Sequence, residues 1–442
     1  MSLAKKIAYS FGAIAQTLSY QAFAAYILFF YVDHMKLNPL LAAVAMVIYA
    51  VWNAFNDPLA GYLSDRTRTK WGRRIPYIMF GAVPFGLVYF LLWSPPFSQD
   101  NMIFLFIYFL LFICLFDACY SFVIINWFSL FPEMFGSLKE RARVNSIRQV
   151  FGIVGLIVGL SLPPILYSSI GWPSMGAIFG LIITVSLFIA LFGSKEKKEF
   201  SLDKSLGLIP AVKFTLKNRS FLIFVSSNLF IQYALTVVLA MFPFYAKYIL
   251  DLGPRETSFV FLAALVFEMP TLFVWAMAAT RFGAKNVYMA AIASFACFLF
   301  PFFFVSSNIS AFITAAFLGT ALAGVIVLSD VLISQVIDED ELRTKTRREG
   351  TYFGVNAFVT RFAIALEAAS IGGIFFLTKY NPRISIQPGA FLVGLRILMA
   401  GLPMLAMASA FILMIYYPIY GERLKKLSSD VDALHREKKA LM

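Results

Sequence analysis

A chain of 442 residues that is 60% hydrophobic, with a mean hydropathy of +0.79, cannot hide its apolar surface in the core of a soluble domain. The net charge of +13 does not point to nucleic acid, because the basic residues sit in short loops between apolar runs. Three cysteines, Cys114, Cys119 and Cys297, all in apolar stretches, offer neither a disulfide framework nor metal spacing. The composition therefore describes an all-α polytopic membrane protein.

In chain order, MSLAKK runs directly into a long apolar segment, which reads as a signal anchor. Twelve segments near the ~20 residues needed to cross the hydrocarbon follow one another. They fall at about 8–32, 38–62, 75–95, 102–131, 144–168, 173–194, 219–247, 255–280, 285–305, 309–337, 349–378 and 390–418. The termini and the loops after even-numbered spans hold 30 Lys and Arg. The opposite side holds 5: Lys36, Lys247, Arg255, Lys379 and Arg383. That asymmetry puts both termini in the cytoplasm, and a plasma membrane is expected.

The longest internal loop, Ser194–Ser220, is polar and rich in lysine. It divides the chain into a six-helix bundle over 1–193, a linker over 194–218, a second bundle over 219–420 and a charged tail over 421–442. The halves look related. GYLSDR…GRR after span 2 is echoed about 215 residues later by AMAATRFGAK, and LKERARVNSIRQ after span 4 by ELRTKTRREG after span 10. Duplication of this kind predicts a transporter with a site at the repeat interface.

The stretch Val51–Arg74 carries the densest chemistry. Asn53 and Asp57 are one helical turn apart on one face. An acid inside an apolar span costs at least a few kcal/mol and is a functional candidate by default. Gly61, Asp65 and Arg66, followed by Gly72, Arg73 and Arg74, predict a close helix approach and a charged latch on the cytoplasmic side. Asp117, Glu268, Asp330 and Glu367 are further acids within spans, each open to a relay or a structural reading, and Arg396 lies near a span end where it could snorkel. Among the many aromatics, Tyr26, Tyr120 and Trp127, with Asn126, are the preferred substrate contacts, faces on which a ring or a lipid tail would pack; Asn356 adds a polar group to span 11. No Walker loop and no Ser–His–Asp or metal constellation occurs, and the two histidines, His34 and His435, are loop and tail residues. No enzyme, metal or cofactor is expected, and a monomer is.

Gly61-x-x-x-Asp65-Arg66…Gly72-Arg73-Arg74 resembles the cytoplasmic signature of the major facilitator superfamily. NDPLAGYLSDRTRTKWGRRIPYI, ERARVNSIRQ, IDEDELRTKTRREGTYFG and GLRILMAGLP together resemble the glycoside–pentoside–hexuronide:cation symporters over the whole chain. The resemblance implies two six-helix bundles rocking about a midplane site. It also implies a coupling-cation site formed by two acids on span 2. The second matches Asp57, but Asn53 replaces the first. A single buried carboxylate suits a proton better than sodium, so H+ is the expected coupling ion and Na+ the alternative. Of the family's two sugar-binding acids, one falls at Thr17, beside Gln16, and the other at Ile124, whereas its basic residues match Arg148 and Arg361. Cations retained and acids lost favour an anionic small-molecule substrate such as a hexuronide. Asp117, seven residues before Ile124, could substitute for the span 4 acid, and it is grouped with Asp57 and Asn53 as a candidate cation ligand. A lysophospholipid or other membrane amphiphile, and a non-transporting sensor, are the alternative readings.

Overall fold

The structure is a computed structural model that describes residues 2–97, 101–135, 138–196, 215, 217–344, 349–384 and 386–440. Twelve of the described helices are long and apolar enough to cross a membrane: Leu3–His34, Pro39–Ser64, Ile75–Leu92, Met102–Phe131, Arg143–Ser161, Trp172–Gly193, Arg219–Tyr248, Pro254–Phe282, Ala284–Phe303, Asn308–Thr344, Thr351–Leu377 and Gly389–Ile415. They are spans 1 to 12. Span 2 shows how local chemistry starts them: the Asn38 side chain accepts from the amides of Leu40 and Leu41, and Pro39 fills the first turn where no donor is needed. Span 10 runs seven residues beyond its expected end at 337, to Thr344. DEDELRT continues the helix because charged residues leave the membrane without leaving the helix.

Three spans contain a turn of π-helix: Phe29–His34 in span 1, Ser121–Ile125 in span 4 and Ile397–Gly401 in span 12. Such a turn is wider than an α-turn and resets which side chains share a face.

Two compact units divide the chain, and they do not follow the sequence halves. The first comprises Met1–Ser205, Leu239–Leu262 and Ala368–Phe391; the second comprises Leu206–Val238, Ala263–Glu367 and Leu392–Met442. The first thus joins spans 1 to 6 to the segments where spans 7 and 8, and spans 11 and 12, meet on the side poor in basic residues. Within it, spans 3 and 6 touch backbone to backbone, since a Cβ on Gly180 would run into the Gly86 carbonyl. Spans 1 and 7 end alike. Lys36 and Asp251, 215 residues apart, both adopt left-handed backbone (φ 60° and 51°). The following leucine amides, Leu37 and Leu252, each reach back to a carbonyl six residues earlier, at 2.9 Å. The same helix stop at the same offset supports the duplication. At the junction, buried Asp33 accepts from Lys247 at 2.6 Å, from Tyr380 at 2.9 Å and from Tyr248.

In the second unit, Lys285 at the start of span 9 donates to the carbonyls of Ile415 and Tyr417, both at 2.8 Å, at the end of span 12. Arg396 donates to the Phe303 carbonyl rather than reaching for a headgroup. The tail is the helix Gly421–Ala440, with Leu427, Val431 and Leu434 buried and Arg423 paired to Glu339 at 2.6 Å.

Candidate functional site

Asn53, Asn56 and Asp57 project from span 2 toward span 4, just before Pro58. Proline has no amide hydrogen, so the Ala54 carbonyl loses its usual helical donor beside this row. Across from it, Asp117 is 2% exposed and accepts from the side-chain amides of Asn53 and, at 2.9 Å, Asn56. One turn on, Ser121 donates to Asp57. The result is a ladder with one carboxylate from each helix. The side-chain oxygens of Asn53 and Asn56 are buried and have no hydrogen-bond partner among the described residues. The row carries two carboxylates, two buried amide oxygens and a hydroxyl, donors of the type a hard cation takes, with both amides turning their nitrogens to Asp117.

The expected position of Asp117 is corrected by this geometry. Spacing put it on the face of Ile124, two turns away. The π-turn Ser121–Ile125 breaks that phase, and Asp117 instead stands opposite Asn53. Its carboxylate faces the span 2 position that carries Asn53, where it joins Asn53 and Asp57 in the row read from the sequence as candidate cation ligands. Asn56 and Ser121 were not singled out in the sequence, although Asn56 lies inside the Asn-Asp-Pro triplet and Ser121 one turn from Asp117.

A second row of polar groups runs along spans 1, 4 and 5. Thr17 bonds to its own helix at the Ala13 carbonyl and lies beside Gly152 of span 5, with half-buried Gln16 next to it. Tyr120 meets Tyr20 with ring centroids 5.8 Å apart. Asn126 donates to the Phe122 carbonyl at 2.7 Å, and its own oxygen is buried without a hydrogen-bond partner among the described residues. Arg148 donates to Asn145 at 2.9 Å and lies over Phe128 (4.7 Å), Phe131 (4.8 Å) and Trp127 (5.7 Å). Among the described residues no carboxylate pairs with it; ring faces, the Asn145 amide oxygen and the Tyr9 hydroxyl hold its charge.

Trp127 and Tyr26 are fully buried and spend their polar atoms on packing. Trp127 exchanges hydrogen bonds with Tyr9, giving to its carbonyl at 3.0 Å and receiving its hydroxyl at 2.9 Å. The Tyr26 hydroxyl donates to the Leu160 carbonyl at 2.6 Å. Tyr26→Phe is therefore expected to lower stability by about 1 kcal/mol, the net value of one hydrogen bond, with the substrate KM unchanged. Thermal unfolding and transport kinetics on one preparation check both. Asn356 and Arg361 belong to the second unit: Asn356 accepts from Asn228 at 2.9 Å, and Arg361 is half-buried.

The arginines between spans 2 and 3 are tied within the first unit. Glu196, after span 6, accepts from the backbone amides of Arg73 (2.9 Å) and Arg74 (3.0 Å), where span 3 begins. Glu133, at the end of span 4, accepts from both guanidinium groups, at 2.7 and 2.9 Å. Gly72, at φ 112°, makes the turn; a Cβ there would strike the Glu196 carboxylate. Arg66 lies over Tyr62 at 4.1 Å. The Asp65 side chain lies outside the described residues. Gly61 differs from expectation: a Cβ on it would meet no atom within 4 Å, so no close helix approach occurs there.

Twelve helices able to span a membrane, in an arrangement that superposes on a solved member of the fold, define an all-α membrane protein of the major facilitator fold. The chain belongs to the MFS/sugar transport protein family, whose model matches residues 8–421. YagG of Escherichia coli, a candidate glycoside/cation symporter, is 25% identical over 97% of this chain and 94% of its own. The sodium-dependent lysophosphatidylcholine symporter 1-A of Danio rerio is 24% identical over 95% of this chain and 86% of its own. The crystal structure of the nucleoside transporter NupG superposes with a TM-score of 0.69 at 12% identity, over 92% of this chain and 99% of that one.

Proposed function

We propose that the chain is a sodium-coupled symporter of a glycoside, with an anionic sugar such as a hexuronide preferred, working by alternating access. The coupling ion binds Asp57 and Asp117, with Asn53, Asn56 and Ser121 as neutral oxygen ligands. The observation that carries this reading is Asp117 opposite Asn53. One carboxylate argued for a proton; two, beside idle amide oxygens, suit an alkali cation whose charge they offset. Names of relatives that couple to a cation, one of them to sodium, support it. Arg148, with no carboxylate partner among the described residues, supports an anionic substrate. Gln16, Thr17, Tyr120 and Asn126 offer hydroxyl and amide partners to the sugar. In this reading the protein sits in the cell membrane as a monomer with both termini in the cytoplasm.

The test is charge movement on a solid-supported membrane carrying proteoliposomes of the purified chain. Neutral glycosides, uronides and lysophospholipids are jumped at two pH values, with and without sodium. A uronide current that requires sodium and disappears in Asp57→Asn is the expected result. A sodium-independent current that grows with acidity makes the proton the coupling ion. Competition by lysophospholipid below its micellar concentration, with no response to any sugar, moves the substrate to a lipid amphiphile.

A further inference from the structure

Three of the five basic residues on the sparsely charged side, Lys36, Lys379 and Arg383, line a single cavity of about 390 Å³ in the first unit. Among the described residues no carboxylate lines it. Asp33, just behind, already receives Lys247, Tyr248 and Tyr380. Tyr380 also lines the cavity, and Lys36 donates to the Asp33 carbonyl at 2.6 Å, so the walls are built rather than loose. Burial holds the Lys36 ammonium below the ordinary lysine range despite the pull of Asp33, so an added anion beside it is favoured.

The backbone adds an independent sign. Lys36 and Lys379 adopt left-handed conformations, φ 60° and 54°, at the stops of spans 1 and 11. Glycine is the ordinary residue at such a stop, because any side chain is strained there. Strain of this kind collects where a side chain is needed, as in ligand clamps. Both strained side chains here are lysines, and both line the same cavity.

The lining also has apolar members. Leu40, Met102 and Phe376 come from spans 2, 4 and 11, and Leu40 and Phe376 are exposed. A cavity lined by three cations together with exposed apolar side chains, at the ends of membrane spans, matches an amphiphile and not a free solute. We propose that this cavity binds the phosphate headgroup of an anionic phospholipid in the non-cytoplasmic leaflet. The phosphate meets Lys36, Lys379 and Arg383, and the first acyl carbons meet Leu40, Met102 and Phe376. It touches the stops of spans 1 and 11 at once.

Thermal unfolding of the purified full chain in dodecyl maltoside, titrated with phosphatidylglycerol, tests this. Phosphatidylglycerol should raise the unfolding midpoint saturably, while phosphatidylcholine and soluble glycerol phosphate should not. Lys379→Gly with Arg383→Gln should weaken apparent phosphatidylglycerol binding by about 30-fold, the product of two lost surface cations. Because glycine relaxes φ 54°, the lipid-free midpoint of that variant should hold or rise, so loss of binding is not loss of fold. Equal shifts with phosphatidylcholine, an unchanged response in the double variant, or saturation by glycerol phosphate alone would each overturn the assignment. None of these readouts depends on the transported substrate or the coupling ion.

Discussion

Asp117→Asn is expected to raise the sodium concentration for half-maximal transport by about 100-fold, and Asn53→Asp in the same chain to recover most of that loss. At 4 Å and an effective dielectric of 20, a carboxylate attracts a monovalent cation by about 4 kcal/mol. Some of that is offset because a neutral amide is easier to desolvate in the empty cage. A net loss near 3 kcal/mol gives the 100-fold figure. The reversal follows from the geometry: Asn53 and Asp117 are hydrogen-bonded partners, so exchanging amide and carboxylate keeps the number of charges and oxygens in the ladder. Asn53→Asp alone adds a third acid to a buried cluster, and repulsion should then favour protonation and weaken the sodium requirement. Asp57→Asn should abolish coupling in every background, because its charge has no exchange partner. The measurement is the sodium dependence of substrate-jump currents for the two singles and the double. A double variant as weak as Asp117→Asn alone would mean that Asp117 anchors span 2 to span 4 and does not hold the ion.

The twelve spans were legible because about 20 apolar residues in a row have no other use in a chain so poor in charge. Lysine and arginine alone set the expected side of each loop. What pattern reading lost was phase. A regular helix puts Asp117 and Ile124 on one face, and nothing in SFVII announces the π-turn that separates them. The Asp57 signal was strong because an acid in an apolar run stands out. Asn56 and Ser121 were quiet because amides and hydroxyls in spans are ordinary. Asp33 was missed for another reason. It sits at the last turn of span 1, where an acid reads as the start of a loop, and its partners lie 214 to 347 residues away. Gly61 was overread: its spacing matches a close-approach motif, yet its Cβ position is open.

Arg148→Ala is expected to lower kcat/KM for an anionic glycoside by about 100-fold while leaving a neutral glycoside within about threefold, an effect on substrate charge and not on the sugar. Two hydrogen bonds from a guanidinium fork to a carboxylate, each near 1.5 kcal/mol net, give about 3 kcal/mol, which is the 100-fold figure. Arg148→Lys keeps the charge but not the fork, so a loss of about 10-fold is expected. The resting state of Arg148 makes this plausible as design. A cation in a membrane span is normally neutralised by an acid, and this one rests on Phe128, Phe131, Asn145 and the Tyr9 hydroxyl. Ring faces soften the cost of burial without occupying the fork as a carboxylate would, so an arriving anion has no ion pair to break. Had the span 4 acid stood at Ile124 as in the resembling family, it could have competed for the guanidinium. Parallel kinetics with a glucuronide and its neutral glucoside, alongside thermal unfolding of each variant, separate the cases. Equal losses for both sugars with a lowered midpoint would make Arg148 an aromatic-held anchor of span 5. A selective loss for the charged sugar at an unchanged midpoint would make it the residue that reads the anion.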